Sequence, residues 1–577
     1  MSAAAMHDVL RARCQFNAEA TAFTFLVDGE TEGARLTYAD LDAHARVIAT
    51  ALRERGVQRG DRALLLYPPG LDFLPAFFGC LYAGVIAVPS YPPQAGQTSR
   101  TLPRLLGIID DADVAIVLAP SAVVAAARTL RLTPVEWLAT DAYADLPCAD
   151  HSTIDVGPDD IAFLQYTSGS TASPRGVMVT HANLLHNLAY ASHNAENDAE
   201  SVSVSWLPVI HDMGLIEGVL APIYNGYPAY LMAPAAFLHR PARWLRAITR
   251  YRATTSGGPN FAYDLCVKKV SEEQRASLEL SAWRIAYNGA EPIRANTLEA
   301  FHARFRDVGF RWRSFYPVYG LAESTLLVST GGRDYEPVVR EADAESLSRG
   351  ALHTTRDVAA STRTLVSSGH VGCGTDVLIV EPDTHERCAS DIVGEIWIAS
   401  PSVARGYWKR DDETRETFNA RLADGTGPFL RTGDLGVISD GELFVTGRIK
   451  DVLIVRGLKH YPQDLELTVE RQHDVIRAGC SAAFSLDASD GEAVAIALEI
   501  DDRKLPDEPA ERDAFLHDVI GRVKRAVVEQ HGIVLSAVSV LPIGGLPKTS
   551  SGKLRRRACR AAFLDGSLPV AMSRTGT

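Results

Sequence analysis

The stretch from Tyr166 to Gly176 (YTSGSTASPRG) has the residue types that hold a polyphosphate. Small residues let backbone N–H groups converge on anionic oxygens. The hydroxyls of Thr167, Ser168, Ser170 and Thr171 add donors around Gly169, and Arg175 adds a fixed positive charge. The spacing is not GxxxxGK[ST], so this is not a Walker loop. A bare Ser/Gly/Thr run is also what a surface loop looks like, so the flanking elements must decide. Other chemistries find no support. There is no GxSxG elbow for a serine hydrolase. The eight cysteines are scattered, without a CxxC pair or a His/Cys metal spacing.

The elements around the loop are those of an α/β protein. Ile161–Tyr166 reads as a strand entering the loop. Val177–Val179 reads as a strand leaving it, followed by a helix start at His181–Asn183. Upstream, a helical pattern over Leu36–Arg55 precedes an apolar run at Arg62–Tyr67. A second helix, Leu71–Tyr82, precedes Val85–Pro89. Helix-sized patterns between fully apolar strands predict a mostly parallel sheet covered on both faces. Ala229–Met232 and Trp283–Tyr287 are further strands. From about 370 to 446 strands shorten and glycine turns become denser, which predicts a barrel-like subdomain. The polar joint Gly447–Asp451 (GRIKD) marks a boundary between residues 1–446 and 452–577. The latter read as a small α+β domain, with a strand at Ala493–Leu498 and a helix over about 510–530.

Bulk properties narrow the function classes. A chain of 577 residues exceeds what one core usually holds. A formal charge of −13 without a long basic stretch argues against nucleic-acid binding. One short basic cluster, Arg555 to Arg557, reads either as a solvated helix face or as a patch facing phosphate or an acidic partner. The N-terminus lacks a signal peptide's apolar core, and no apolar run reaches the length of a membrane span. A soluble cytoplasmic protein without integral membrane association is the expectation.

The YTSGSTASPRG string is similar to the phosphate loop of the adenylate-forming superfamily, which includes acyl-CoA synthetases, luciferases and peptide-synthetase adenylation domains. Many members carry lysine where Arg175 stands, and the charge is kept. Further motifs of that superfamily follow in order over essentially the whole chain. The segment Asn288–Pro292 (NGAEP) resembles the one lining the adenine pocket, which implies base contacts near Gly289 and Ala290. Tyr319–Ser324 (YGLAES) resembles the next motif, with Tyr319 and Gly320 at the adenine and Glu323 as the Mg²⁺ contact. In Arg431–Gly436 (RTGDLG), Asp434 matches the aspartate that accepts both ribose hydroxyls. Arg448 resembles a second nucleotide contact, and Lys450 holds the hinge position. Leu546–Arg555 (LPKTSSGKLR) resembles the C-terminal catalytic loop, whose lysine is Lys553. The implied fold is a large N-terminal domain with a small mobile C-terminal domain.

The implied reaction is attack of a carboxylate on the α-phosphorus of ATP. The nucleophile is already anionic, so no general base is required. Mg²⁺ at Glu323, the loop donors and Lys553 would offset the repulsion between two anions. Within the superfamily, three features resemble the fatty acyl-AMP ligases. Trp206–Leu215 (WLPVIHDMGL) is similar to their acyl-site motif, with His211 at the substrate carboxylate or its entry and Asp212, Met213 and Gly214 beside it. Ser256–Leu265 (SGGPNFAYDL) is similar to a second stretch, with Phe261 and Ala262 as pocket walls. A long segment, Arg333 to Val366, implies their extra insertion, thought to restrict the domain rotation needed for CoA thioester formation. The implied substrate is a fatty acid and the implied acceptor an acyl carrier protein in trans. A fatty acyl-CoA synthetase, an amino-acid adenylation domain and an inactive acyl- or nucleotide-binding protein stand as alternatives.

Overall fold

The computed structural model describes residues 3–92, 98–129, 135–143, 154–167, 174–354, 362–372, 374–455, 458–488, 491–548 and 553–575. The chain forms two compact units. One comprises Met1–Pro337, Ser368–Val377 and Trp397–Thr432. The other comprises Val338–Ser367, Leu378–Ile396 and Gly433–Thr577.

The first unit is built on two sheets. In the six-stranded one the order is Glu136–Ala139, Val114–Ala119, Arg62–Leu66, Ile86–Ser90, Ile161–Thr167 and Arg175–Thr180. All neighbours are parallel except the last pair, which is antiparallel. In the eight-stranded sheet the order is Leu327–Thr330, Phe315–Gly320, Ile285–Asn288, Thr255–Gly258, Ser203–Ser205, Ala229–Met232, Thr21–Leu26 and Glu32–Thr37. Its six inner strands are mutually parallel, and each edge strand runs antiparallel. The strands are short and almost wholly buried, as a sheet covered on both faces requires.

Local chemistry sets the helices. Thr37 caps the Tyr38–Glu54 helix by accepting from the Asp40 amide, and Asp40 returns a bond to the Thr37 amide at 2.9 Å. Leu41, Ala45, Ile48 and Leu52 then fall on one buried stripe. The stripe meets the Phe73–Tyr82 helix so closely that a methyl on Gly79 would lie 2.7 Å from Ile48. Both helices and their following strands match the periodicity-based expectation to within two residues at each end.

In the second unit, the strands Ile476–Ala488, Gly491–Ile500, Leu535–Leu541 and Met572–Thr575 form a mixed sheet in that order. The Pro509–His531 helix covers it with Leu516, Val519, Ile520, Val523 and Val527. Proline opens this helix and Gly532, at φ 66°, closes it in the left-handed region. The α+β character expected of this stretch is present. The barrel-like expectation for 370–446 is met differently. Asp376–Val380, Gly394–Ala399, Leu430–Ser439 and Glu442–Arg448 form a four-stranded sheet that does not close among the described residues. Four strands are too few to wrap around a core of their own.

The described part of the long segment after Glu323 is structured. Val339–Asp343 pairs antiparallel with Thr362–Val366, and a short helix, Ala344–Ser348, starts on an Asp343 cap. Ala342, Leu347 and Leu365 join Val393, Leu435, Val437, Phe444 and Tyr461 in one buried cluster of the second unit.

Candidate active site

Four of the motifs leave the carboxyl ends of four neighbouring parallel strands. Ser203–Ser205 leads into Trp206–Leu215, and Thr255–Gly258 into Pro259–Leu265. Ile285–Asn288 leads into Gly289–Pro292, while Phe315–Gly320 carries Tyr319 and runs into Glu323. The register aligns these exits, pairing Gly258 with Asn288 and Asn288 with Pro317. In open α/β sheets, ligands bind at this edge of the parallel strands.

Glycines permit the close approach of these loops. A methyl on Gly289 would lie 2.5 Å from the Val318 side chain. One on Gly320 would lie 1.9 Å from the Leu326 carbonyl oxygen, and one on Gly214 would lie 2.0 Å from that of Pro208. Ala290 adopts φ 68°, a strained conformation for a residue with a Cβ. Glu291 is used internally, accepting from the Phe261 amide at 2.5 Å, so it ties the candidate adenine loop to the candidate acyl wall. Phe261 is half-buried and stands edge-on to Trp206 at 6.0 Å, while Ala262 is fully buried.

The phosphate-loop donors Ser168, Gly169, Ser170 and Thr171 lie outside the described residues, as does the side chain of Thr167. The two ends of the loop are well defined. Tyr166 pairs with Gly176 and Thr167 with Arg175 across the antiparallel strands. Tyr166 donates to Asp111 at 2.7 Å, and Asp111 also receives Arg410 at 2.8 Å. On the other side, Arg175 lies 2.8 Å from Glu413. Arg410 and Glu413 belong to the start of one helix, Asp411–Phe418, so a single element holds both ends of the loop.

Arg175 also lies over the ring of Tyr407, 5.4 Å from its centroid. The Tyr407 hydroxyl donates to Glu323 at 2.8 Å. Burial and the neighbouring Glu323 charge push that hydroxyl well above the ordinary tyrosine value. The phosphate-loop cation and the candidate metal carboxylate are thereby joined through one side chain. Tyr407 was not visible as functional in the sequence, where it is one of two adjacent aromatics, Tyr407 and Trp408, after Gly406.

His211 precedes the Asp212–Leu215 helix, with Nδ1 2.6 Å from Asp212 Oδ1. This contact fixes the ring and directs Nε2 away from Asp212. Gln165 donates to the Ile210 carbonyl at 3.0 Å, linking the phosphate-loop strand to the His211 segment. Met213 is buried.

The remaining predicted residues belong to the second unit. Asp434 and Arg448 are cross-strand partners, with Arg448 Nε 2.6 Å from Asp434 Oδ1. Lys450 is exposed in the Ile449–Asp451 turn. Lys553 is half-buried beside the bridge between Lys548 and Leu554. Of the basic cluster, Arg555 and Arg557 are exposed, but Arg556 is half-buried and committed to two carboxylates. It grips Glu466 through two bonds of 2.6 Å and approaches Asp451 at 3.4 Å.

Among the described residues no group of three or more His, Cys, Asp or Glu side chains forms a metal cage. Mg²⁺ takes one or two protein carboxylates and completes its shell with phosphate and water. Glu323, a half-buried hard-oxygen donor on the same tyrosine as Arg175, fits that role. Six cysteines, Cys14, Cys80, Cys266, Cys388, Cys480 and Cys559, are free thiols. Among the described residues no helix is long and apolar enough to cross a membrane.

Parallel strands with nucleotide-type loops at their carboxyl edge, a cation at a Gly/Ser/Thr loop and a nearby carboxylate define a nucleotide-dependent α/β enzyme. The profile of the AMP-binding enzymes matches residues 10–408, and the chain belongs to that family. Residues 450–573 match a second profile, the AMP domain of Disco-interacting protein 2-like proteins. The medium-chain-fatty-acid–[acyl-carrier-protein] ligase JamA of Moorena producens is 44% identical over 97% of this chain and 95% of its own. The long-chain-fatty-acid–AMP ligase FadD32 of Mycolicibacterium smegmatis is 36% identical over 92% and 89%. The fatty acyl-adenylate ligase of L. pneumophila, solved with acyl adenylate and pyrophosphate, superposes with a TM-score of 0.75. It is 39% identical over 100% of this chain and 98% of that one.

Proposed function

We propose that the chain is a fatty acyl-AMP ligase. It activates a fatty acid with ATP to the acyl-adenylate, releases pyrophosphate, and passes the acyl group to an acyl carrier protein in trans. A carboxylate oxygen attacks the α-phosphorus, a new P–O bond forms, and the bond to pyrophosphate breaks. The observation that carries the reading is the convergence of the acyl-type and adenine-type loops on one sheet edge, with the phosphate-loop strand tied to the His211 segment by Gln165.

We assign each residue's part from the motif it matches and the contacts it makes. Arg175 and the loop amides hold the polyphosphate. Gly289, Ala290, Tyr319 and Gly320 receive the adenine, and Asp434 with Arg448 receives the ribose. His211, oriented by Asp212, meets the fatty carboxylate, with Met213, Gly214, Phe261 and Ala262 beside the chain. Glu323, steadied by Tyr407, would hold Mg²⁺, and the ion would supply positive charge to offset the phosphate charge. Lys553, by its place after Gly552 in the C-terminal motif, supplies an ammonium for the charge that builds during attack.

The segment 333–366 acts as a restraint on a mobile C-terminal domain, 452–577, that hinges at Lys450. Arg363 supports this reading. Its guanidinium lies 3.0 Å from Asp464, donates to the Thr446 carbonyl at 2.9 Å, and stacks on Tyr461 at 4.5 Å. Two of these partners lie beyond the hinge. The enzyme works in the cytoplasm, where ATP and carrier proteins meet. ATP–pyrophosphate exchange that depends on a fatty acid tests the proposal. Exchange with amino acids instead would overturn the substrate assignment.

A further inference from the structure

One carboxyl in the acyl region has no part in the chemistry above. Glu217 lies four residues after Met213, on the same helical face, in a π-turn spanning Ile216–Leu220. Such widened turns often mark functional positions. Protein surrounds Glu217 closely enough that burial pushes its carboxyl up to about 7. Yet the side chain keeps accessible surface, in contrast to Ile216, Gly218, Val219 and Leu220 around it. Glu217 is thus the one half-buried residue of this turn.

Polar side chains stand near Glu217. The charge of Glu217 reaches the phenols of Tyr227, Tyr287 and Tyr316. The hydroxyls of Tyr287 and Tyr316 are buried and make no well-formed hydrogen bond among the described residues, although Ser205 and Thr330 lie beside them. The same layer reaches the candidate acyl wall. Gly257 lies so close to Tyr287 that a methyl there would be 2.4 Å from its ring. A methyl on Gly258 would be 2.6 Å from Trp206, the ring that meets Phe261. Gly218 lies against Ser205, whose strand leads into the His211 segment. From His211 to Glu217 the chain rises about 9 Å along the helix. An apolar chain entering at His211 and following this face meets hydroxyls and a carboxyl at that depth, where methylenes leave polar groups without partners.

We propose that Glu217, with the phenols of Tyr287 and Tyr316, forms a polar floor that ends the acyl pocket and sets the length of saturated chain accepted. The proposal rests on the fatty acid adenylation reading. The test is kcat/KM for octanoic, lauric and palmitic acids by pyrophosphate exchange, in the wild-type chain and in Glu217→Met, which keeps the shape and removes the polarity. The wild type should prefer the shorter acids, and Glu217→Met should raise the palmitic-to-octanoic ratio about tenfold or more, the scale of pocket-end discrimination. A wild type that uses palmitic acid as well as octanoic acid overturns the floor, whether or not the variant folds. So does a folded variant, checked by its melting curve, whose ratio is unchanged. A wild type that exchanges with none of the acids defeats the underlying adenylation reading instead, and the floor falls with it.

Discussion

Asp434 and Arg448 face each other across an antiparallel strand pair, with Arg448 Nε 2.6 Å from Asp434 Oδ1. The aspartate is buried and the arginine largely exposed, so the cation orients the carboxylate from the outside. A carboxylate held this way still has lone pairs to accept from a vicinal diol. Asp434→Ala should raise the KM for ATP about thirtyfold, the equivalent of about 2 kcal/mol for lost hydrogen bonds to a charged group. The KM for the fatty acid should change far less. Steady-state exchange kinetics with each substrate varied in turn checks this, and equal effects on both would point to misfolding.

Tyr407 links Arg175 to Glu323. Tyr407→Phe keeps the ring under Arg175 and removes the hydroxyl that steadies the carboxylate at 2.8 Å. The expected outcome is an apparent Mg²⁺ requirement raised about tenfold, on the scale of one charge-assisted hydrogen bond. The melting temperature should change little. A Mg²⁺ titration of exchange activity, at saturating ATP, makes the comparison.

Arg363 tests the restraint assigned to the 333–366 segment. Its ion pair with Asp464 is largely shielded, and its stacking on Tyr461 adds to the anchor. Arg363→Ala should cost about 1–2 kcal/mol in denaturant unfolding, for the lost charged hydrogen bonds. It should also yield acyl-CoA where the wild type is expected to yield none. A destabilised variant still without acyl-CoA would mean the segment braces the fold but does not limit rotation.

Glu217 makes a pH-dependent stability prediction. Its folded carboxyl is raised from 4.5 to about 7 by burial. Between those values the folded state binds more protons than the unfolded one, so this group's contribution falls as pH rises and is fully unfavourable above the folded value. The full penalty is on the order of 3 kcal/mol. His181 works in the opposite sense at the acid end, since burial lowers its imidazole to about 4. Comparing Glu217→Gln with wild type cancels that contribution. The variant should gain stability relative to wild type between pH 5 and pH 8, and a constant difference in denaturant midpoint across that range would contradict the burial.

Much of the fold was legible because apolar runs have a period. Ala229–Met232 was read at its true bounds, and the Tyr38–Glu54 and Pro509–His531 helices to within two residues. The motif residues were legible as a series through resemblance. What escaped were side chains whose importance arises only from long-range packing. Tyr407 is a common aromatic until Arg175 and Glu323 arrive from distant segments. Arg556 looked like part of a solvated basic run, yet its partner Glu466 is buried ninety residues away in sequence. Glu217 carries no signal in the sequence, and only the fold brings its charge near the phenols of Tyr227, Tyr287 and Tyr316.

The most direct test of the central claim is product analysis. Purified protein is incubated with ATP, Mg²⁺ and a panel of fatty acids, with and without CoA, and acyl-AMP and acyl-CoA are followed by mass spectrometry. Acyl-AMP that accumulates equally in both conditions, with no acyl-CoA, is the expected result. Efficient conversion to acyl-CoA would contradict it, make the chain a fatty acyl-CoA synthetase, and leave the 333–366 segment without a restraining role.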